Sequence, residues 1–378
     1  MNSIRLCWVG VLILLGLAGC ANTPPEIKIG LIVPLSGENG ESTGQPAVNA
    51  AQMAVNEVNG AGGLLVGKTH YLIDLVVVDD EGVPETAVSA AQQLINQEGV
   101  VAIVGPMFSS NAIPVGEVAE TAHIPMISPT STNPQTTLNK QYVFRASFVD
   151  DFQGLAMARF AYEDLGSRRS AMLYDVASAY NQGLAAAYQT AFEALGGQIV
   201  AAETYTTDQA EDFSEQLARI KVRNPDSLFL PNYTDDVLLQ GQQARDMGID
   251  AVILGGDSWE GERLSGLPTF EQSFFSGHYC RDKSNPVIRL FSDQFEKLYG
   301  REPNGLMALT YDSVGLLFAA MQDQASTVPE AIRDGLYHID YQGITGTITF
   351  DETGDPVKSV AVWYIANGER SCYQMIEP

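Results

Sequence analysis

From Ile27 onward, short runs of Val, Ile, Leu and Ala alternate with longer stretches in which apolar positions recur three and four residues apart. The first pattern suits strands buried on both faces and the second suits amphipathic helices, so the alternation predicts a parallel sheet covered by helices on each side. Strands are expected near 27–33, 71–78, 100–105 and 124–128, with helices near 46–58, 85–97, 110–122, 152–165 and 181–195. After Tyr142-Val143-Phe144-Arg145 a second run begins, with strands near 170–174, 198–203, 227–231 and 252–255 separated by helices near 211–222 and 235–247. A helix pair near 286–299 and 306–323 follows, then strand-like segments at 345–350 and 360–366. At 378 residues the chain has length for about two α/β domains of ~150 residues each. The pattern alone puts one boundary near Ser147 to Asp151, where strand residues give way to polar ones and a new helix.

Two of the buried-strand signals, VVAIVG and HIPMIS, run straight into hydroxyl clusters: Ser109-Ser110-Asn111 and Thr130-Ser131-Thr132. At the end of a strand, next to a helix N-terminus with free backbone N–H groups, such residues make a socket for an anion. Ser, Thr and Asn are also ordinary helix caps, and capping alone explains either cluster separately. It does not explain two sockets at the ends of successive strands, which together suit a small carboxylate.

Composition narrows the setting. The N-terminus carries one positive residue, Arg5, then an apolar run from Leu6 to Leu17 and the close Leu17-Ala18-Gly19-Cys20. That run is too short to span a bilayer, and small residues before a cysteine fit a lipoprotein signal peptide over residues 1–19, cleaved before acylation of Cys20. The expectation is a protein outside the cytoplasm, held to a membrane by lipid. A formal net charge of −25 disfavours nucleic acid as a partner. With Cys7 leaving in the leader and Cys20 taking lipid, Cys280 and Cys372 remain, and an oxidising compartment allows them to be joined. Ala366-Asn367-Gly368-Glu369 reads as a hairpin turn that would bring Cys372 back toward Cys280; two free thiols packed apart are the alternative.

Other chemistry fails on context. Gly62 to Thr69 matches GxxxxGK[ST], but it follows a helix and leads into a strand, the reverse of a phosphate loop. Gly256-Asp257-Ser258 lacks the second glycine of a nucleophile elbow, position 260 being Glu. His70, His123, His278 and His338 are scattered without ligand spacing, so neither a metal nor a cofactor is expected, and the chain does not read as an enzyme.

The segments IKIGLIVPLSG, NGAGGLLVGK, VVVDDEGVPETAV, GPMFSSNAIP, ISPTSTNP, FRASFVDDFQG and GITGTITFDETGDP, in this order and spacing, resemble the extracytoplasmic solute-binding proteins of the leucine/isoleucine/valine-binding family, which serve ABC importers. The resemblance covers nearly the whole chain after the leader. It implies the type I periplasmic-binding-protein architecture: two doubly wound α/β lobes joined by a hinge that the chain crosses three times. One lobe would hold 27–149 and 283–359, the other 150–282 and 360–378. It further implies that Ser109 and Thr132 bind a ligand carboxylate, with the Thr130 carbonyl and the Thr132 hydroxyl reaching the ammonium end. Tyr180 and Tyr233 would face the cleft. Asp257, in ILGGDSWEG, aligns with the acidic residue that pairs with the ammonium, although the branched-chain binders have Glu there. Asp150 matches an acidic residue that contacts ammonium in related receptor ectodomains, and a helix N-cap is its equal alternative. The chain departs from the branched-chain binders at Phe108, at Asp79-Asp80-Glu81-Gly82, and at Ser42 or Thr43, where those proteins have a disulfide pair and an aromatic ring. The implied partners are an α-amino acid and an ABC permease, with the protein itself monomeric. Two readings compete: the same fold holding an amide, urea or aromatic acid, and a cell-envelope interaction lipoprotein with no transport role.

Overall fold

The protein is described by a computed structural model covering residues 24–37, 40–206, 211–282 and 284–378; the expected leader and Cys20 lie outside these. The first layer opens with β1 (Glu26–Val33), α1 (Gln45–Gly60), β2 (Leu64–Val66) and β3 (Thr69–Asp79). It continues with α2 (Pro84–Gln93), β4 (Ala102–Val104), α3 (Ser109–Ala122), β5 (Met126–Ser128) and β6 (Val143–Arg145). These strands form one sheet in the order β2-β3-β1-β4-β5-β6, parallel except for the β2–β3 hairpin. The would-be phosphate loop is that hairpin, with Gly62 and Gly63 turning out of α1 and Gly67 turning between the two strands.

The second layer contains α4 (Asp150–Arg159), β7 (Arg169–Asp175), α5 (Ala179–Ala194), β8 (Gln198–Tyr205) and α6 (Ser214–Lys221). After these come β9 (Ser227–Leu230), α7 (Thr234–Asp246), β10 (Val252–Gly255) and β11 (Ser273–Gly277). The chain then returns to the first layer: α8 (Pro286–Tyr299), α9 (Gly305–Asp323) and α10 (Pro329–His338) bury their apolar residues in clusters shared with β1, α1 and β3. α9 is buried on nearly every side, as its mostly apolar circumference requires. A small hairpin, β12 (Tyr341–Gly343) with β13 (Gly346–Ile348), precedes the last passage. β14 (Val360–Ala366) and β15 (Glu369–Ile376) complete the second sheet, whose order is β15-β14-β11-β10-β9-β7-β8. Asn367 and Gly368 both take positive φ, the pair of conformations a two-residue hairpin turn needs.

Three segments join the layers, and they touch one another. Phe148 on the first stacks on His278 of the second with ring centroids 4.2 Å apart. Lys358 on the third donates from Nζ to the Ala146 carbonyl at 3.1 Å. Cys280 and Cys372 meet with 5.5 Å between their Cα atoms, the spacing of a disulfide. Among the described residues no helix is long and apolar enough to cross a membrane, and no group of His, Cys, Asp and Glu is placed to hold a metal ion.

Candidate functional site

In an open α/β sheet, the crevice for a ligand lies beyond the C-terminal strand ends, where neighbouring strands send their connections to opposite sides. In the first sheet this point falls between β1 and β4, in the second between β7 and β9. A cavity of about 150 Å³ lies between the two, room for on the order of ten water molecules. Its walls are the segments that follow these strand ends: Ser42 and Thr43 after β1, Phe108 and Ser109 after β4, Thr130 after β5, Tyr180 after β7, Tyr233 after β9 and Asp257 after β10.

On the first lobe, Gly105 (φ +97°) makes the turn out of β4 against the Ile32 carbonyl, a place where a Cβ would stand 2.2 Å from that oxygen. The turn delivers Phe108 and the start of α3 to the cavity. Ser109 Oγ accepts from Ser131 Oγ at 2.9 Å, which leaves its own proton for a ligand oxygen. Thr130 spends its hydroxyl on the Met107 carbonyl at 2.8 Å. The loop carrying Thr130 to Asn133 is shaped by Arg145, fully buried at the end of β6. Its guanidinium donates to the Ser131 and Asn133 carbonyls at 3.0 and 2.8 Å and pairs with Asp355 at 2.6 Å.

The second lobe presents a carboxylate. Asp257 Oδ1 accepts from the Tyr180 hydroxyl at 2.8 Å and from Gln153 Nε2 at 2.9 Å, and Oδ2 lies 2.9 Å from His278 Nε2. Burial alone would raise the pKa of this group, but the His278 hydrogen bond, the charge that ring carries when protonated, and the Tyr180 and Gln153 bonds hold it below the ordinary carboxylate value. Three acceptor positions are used, so one lone pair of Oδ2 remains for a ligand.

The lobes are drawn together around the cavity. Asn133 Nδ2 donates to the Ala179 carbonyl at 2.8 Å, Ala179 N–H reaches Ser110 Oγ at 3.3 Å, and Phe108 meets Tyr233 edge to face at 5.2 Å. Tyr233 in turn leans on Tyr180 at 5.3 Å, giving an aromatic wall across the cleft. Glu260 of the second lobe accepts the N–H of Gly305, the first residue of α9 in the first, and that of His278 at 2.6 Å. Gly277 and Gly305 leave the space: a Cβ on either would fall 2.4 or 2.0 Å from the carboxylate oxygens.

Of the residues singled out in the sequence, Ser109, Thr130, Tyr180, Tyr233 and Asp257 line the cavity together. Thr132 and Asp150 do not: both are wholly buried behind its wall. Asp150 opens α4, its N–H bonded to the Thr132 carbonyl at 2.8 Å, while the Thr132 hydroxyl and both Asp150 oxygens lack a well-aligned hydrogen bond. Burial pushes the Asp150 carboxyl well above the ordinary range, and the charge of Asp257 adds to the rise. An N-cap role for Asp150 is not observed, since Val149 holds the cap position. Asp257 is not left bare in the absence of a ligand, because Tyr180, Gln153 and His278 already surround it. Sequence reasoning missed Gln153, Glu260, Arg145 and His278. Arg145 left a signal, a lone charge in the apolar run YVFRASF; the others left none.

The geometry is that of a ligand cleft, and comparison agrees. A Leu/Ile/Val-binding protein (BraC3) of Rhizobium johnstonii is 31% identical over 337 residues, covering 87% of this chain and 89% of that protein. The crystal structure of a leucine binding protein (LivK) of Thermotoga maritima superposes with TM-score 0.86 at 32% identity, over 93% of this chain and 99% of the other. That of LivJ, the branched-chain amino acid transporter substrate binding protein of Streptococcus pneumoniae in complex with isoleucine, does so with TM-score 0.84 at 29% identity, over 93% and 100%. The family model "Periplasmic binding protein" matches residues 26–369, and the chain belongs to that extracytoplasmic family, whose members bind substrates for transport and are not enzymes.

Proposed function

We propose that the protein captures a small α-amino acid in the interlobe cavity and delivers it to an ABC permease, as a monomer tethered outside the cytoplasm through lipid on Cys20. The observation that carries this is the opposition across one cavity of an ionised carboxylate, Asp257, and the Ser109 hydroxyl at the start of α3. A zwitterion meets both needs at once: its carboxylate takes the Ser109 proton and the first-turn N–H groups of α3, and its ammonium takes the open lone pair of Asp257. Burying either ligand charge without such a partner costs several kcal/mol. Thr132 and Asp150 contribute from behind the wall, where the bond from the Asp150 N–H to the Thr132 carbonyl ties the loop to the start of α4. The bilobed division at about 150, 282 and 359 supplies the hinge, and the contacts of Asn133, Phe108 and Glu260 stabilise the closed form.

A second reading rests on the partners Asp257 already has. With Tyr180, Gln153 and His278 around it, that carboxylate tolerates a ligand without a cation, such as an aromatic acid stacked against Phe108 and Tyr233. Calorimetric titration against free amino acids and their amide or deaminated analogues separates the two. Tighter binding of the deaminated acids would overturn the amino-acid assignment.

A further inference from the structure

His278 joins the hinge to the cleft. Its ring lies on Phe148 of the first crossing segment at 4.2 Å and 25° between planes, and its backbone N–H donates to Glu260. Nε2 faces Asp257 Oδ2 at 2.9 Å, while Nδ1 is buried without a partner. An ionised carboxylate only accepts, so Nε2 carries a hydrogen in either state of the ring, and Nδ1 is the nitrogen that gains or loses the second one. A further proton can enter only at Nδ1, and it turns the donor beside Asp257 into a cation.

We propose that His278 is the positioning residue of the cleft carboxylate and its pH-dependent competitor: neutral, it holds Asp257 toward the cavity and leaves its charge for a ligand ammonium; protonated at Nδ1, it takes that charge itself and the ligand is released. The inference rests on the reading of Asp257 as the cation contact. Binding and protonation are then mutually exclusive, and linkage makes the effect reciprocal: the ligand lowers the affinity of His278 for a proton as much as the proton lowers the affinity for ligand. One proton linked in this way costs up to about tenfold in affinity per pH unit below the histidine transition. The titratable groups that bear on the pair are Asp257 and Glu260 from the segment after β10, Asp150 on α4, Tyr180 on α5, Tyr233 before α7 and, through Glu260, Lys358. Protonation of Glu260 or Asp150 would change the affinity with the same sign, so a variant at His278 is needed to separate them.

The test takes the mature protein, finds the tightest binder among the common L-amino acids by calorimetry, and repeats that titration from pH 5 to pH 9. The affinity of the wild type should fall by up to tenfold per pH unit on the acid side. His278→Gln, whose amide still donates to Asp257 but gains no proton, should bind more weakly overall with a flat profile. Should that variant fail to fold, the wild type serves alone: its chain has four histidines, and NMR titration should show ligand moving the His278 ring transition to lower pH. A pH-independent wild type, a wild-type slope retained in His278→Gln, or a ring transition indifferent to ligand overturns the proposal while amino-acid binding stands. Binding of deaminated acids but of no amino acid would instead remove the Asp257 reading, and this proposal with it.

Discussion

On the proposed reading, Asp257 decides whether this cleft prefers a zwitterion. Asp257→Ala should lose about 3–5 kcal/mol of amino-acid affinity by leaving a buried ammonium unpaired, with Asp257→Asn only somewhat milder, both read by calorimetric titration. Unaltered affinity in the Ala variant would refute the role. The same change strands the Tyr180 hydroxyl and the Gln153 amide, so melting should also show a destabilisation of about 1–3 kcal/mol, which deaminated ligands would not restore. The hydroxyl residues that face the cavity from strand ends were legible because they stand out against apolar strands, whereas Tyr180, Tyr233 and Asp257 were implied only by the family resemblance. Gln153 and His278 were not: each is one polar residue in an ordinary context, and only the approach of α4, β10 and β11 gives it a partner.

Elements carry the proposed closure. Helix α9 ends its buried length at the cleft, and its positive N-terminus meets the Glu260 carboxylate of the other lobe, an arrangement worth more than a neutral hydrogen bond because both charge and dipole act. Burial raises the pKa of Glu260, the surrounding N–H groups and His278 offsetting part of the rise. Replacing it by Gln turns one accepting oxygen into a donor against a donor. Glu260→Gln should weaken ligand binding by about 1.5–3 kcal/mol through a population shift toward the open form, visible as a larger unliganded radius in X-ray scattering. An unchanged radius with unchanged affinity would show that closure does not use this contact. The elements themselves were largely readable from periodicity. Helix α10, with few apolar positions, was missed because neighbours rather than propensity stabilise it.

At the scale of the molecule, α/β layering was legible from the strand and helix alternation, but the passage of 286–338 back to the first layer was not, since nothing local says which sheet a helix covers; only the family resemblance implied it. The crossing segments set a pH response. Burial lowers the Lys358 ammonium to about 8 from its ordinary 10.5, with Asp312 and Glu260 opposing the shift. Above about pH 8 the unfolded chain therefore keeps a proton that the folded chain has released, and stability rises with pH by up to about 1.4 kcal/mol per unit until unfolded-state tyrosines ionise near about pH 10. Lys358→Met should flatten that slope in urea unfolding between pH 7.5 and 9.5; a slope kept intact would assign it to other groups. The last constraint is covalent. Cys280 leaves the second layer at the second crossing and Cys372 sits on the final strand, 92 residues later, so a bond between them encloses every element that returns to the first layer. Closing so long a loop removes much unfolded-state freedom, and Cys372→Ser should cost about 2–5 kcal/mol of stability. Neither cysteine lines the cavity, so ligand affinity should change little. Alkylation under denaturing, non-reducing conditions provides the check: mature oxidised protein should take up no label at either cysteine, and two modified thiols would rule the bond out.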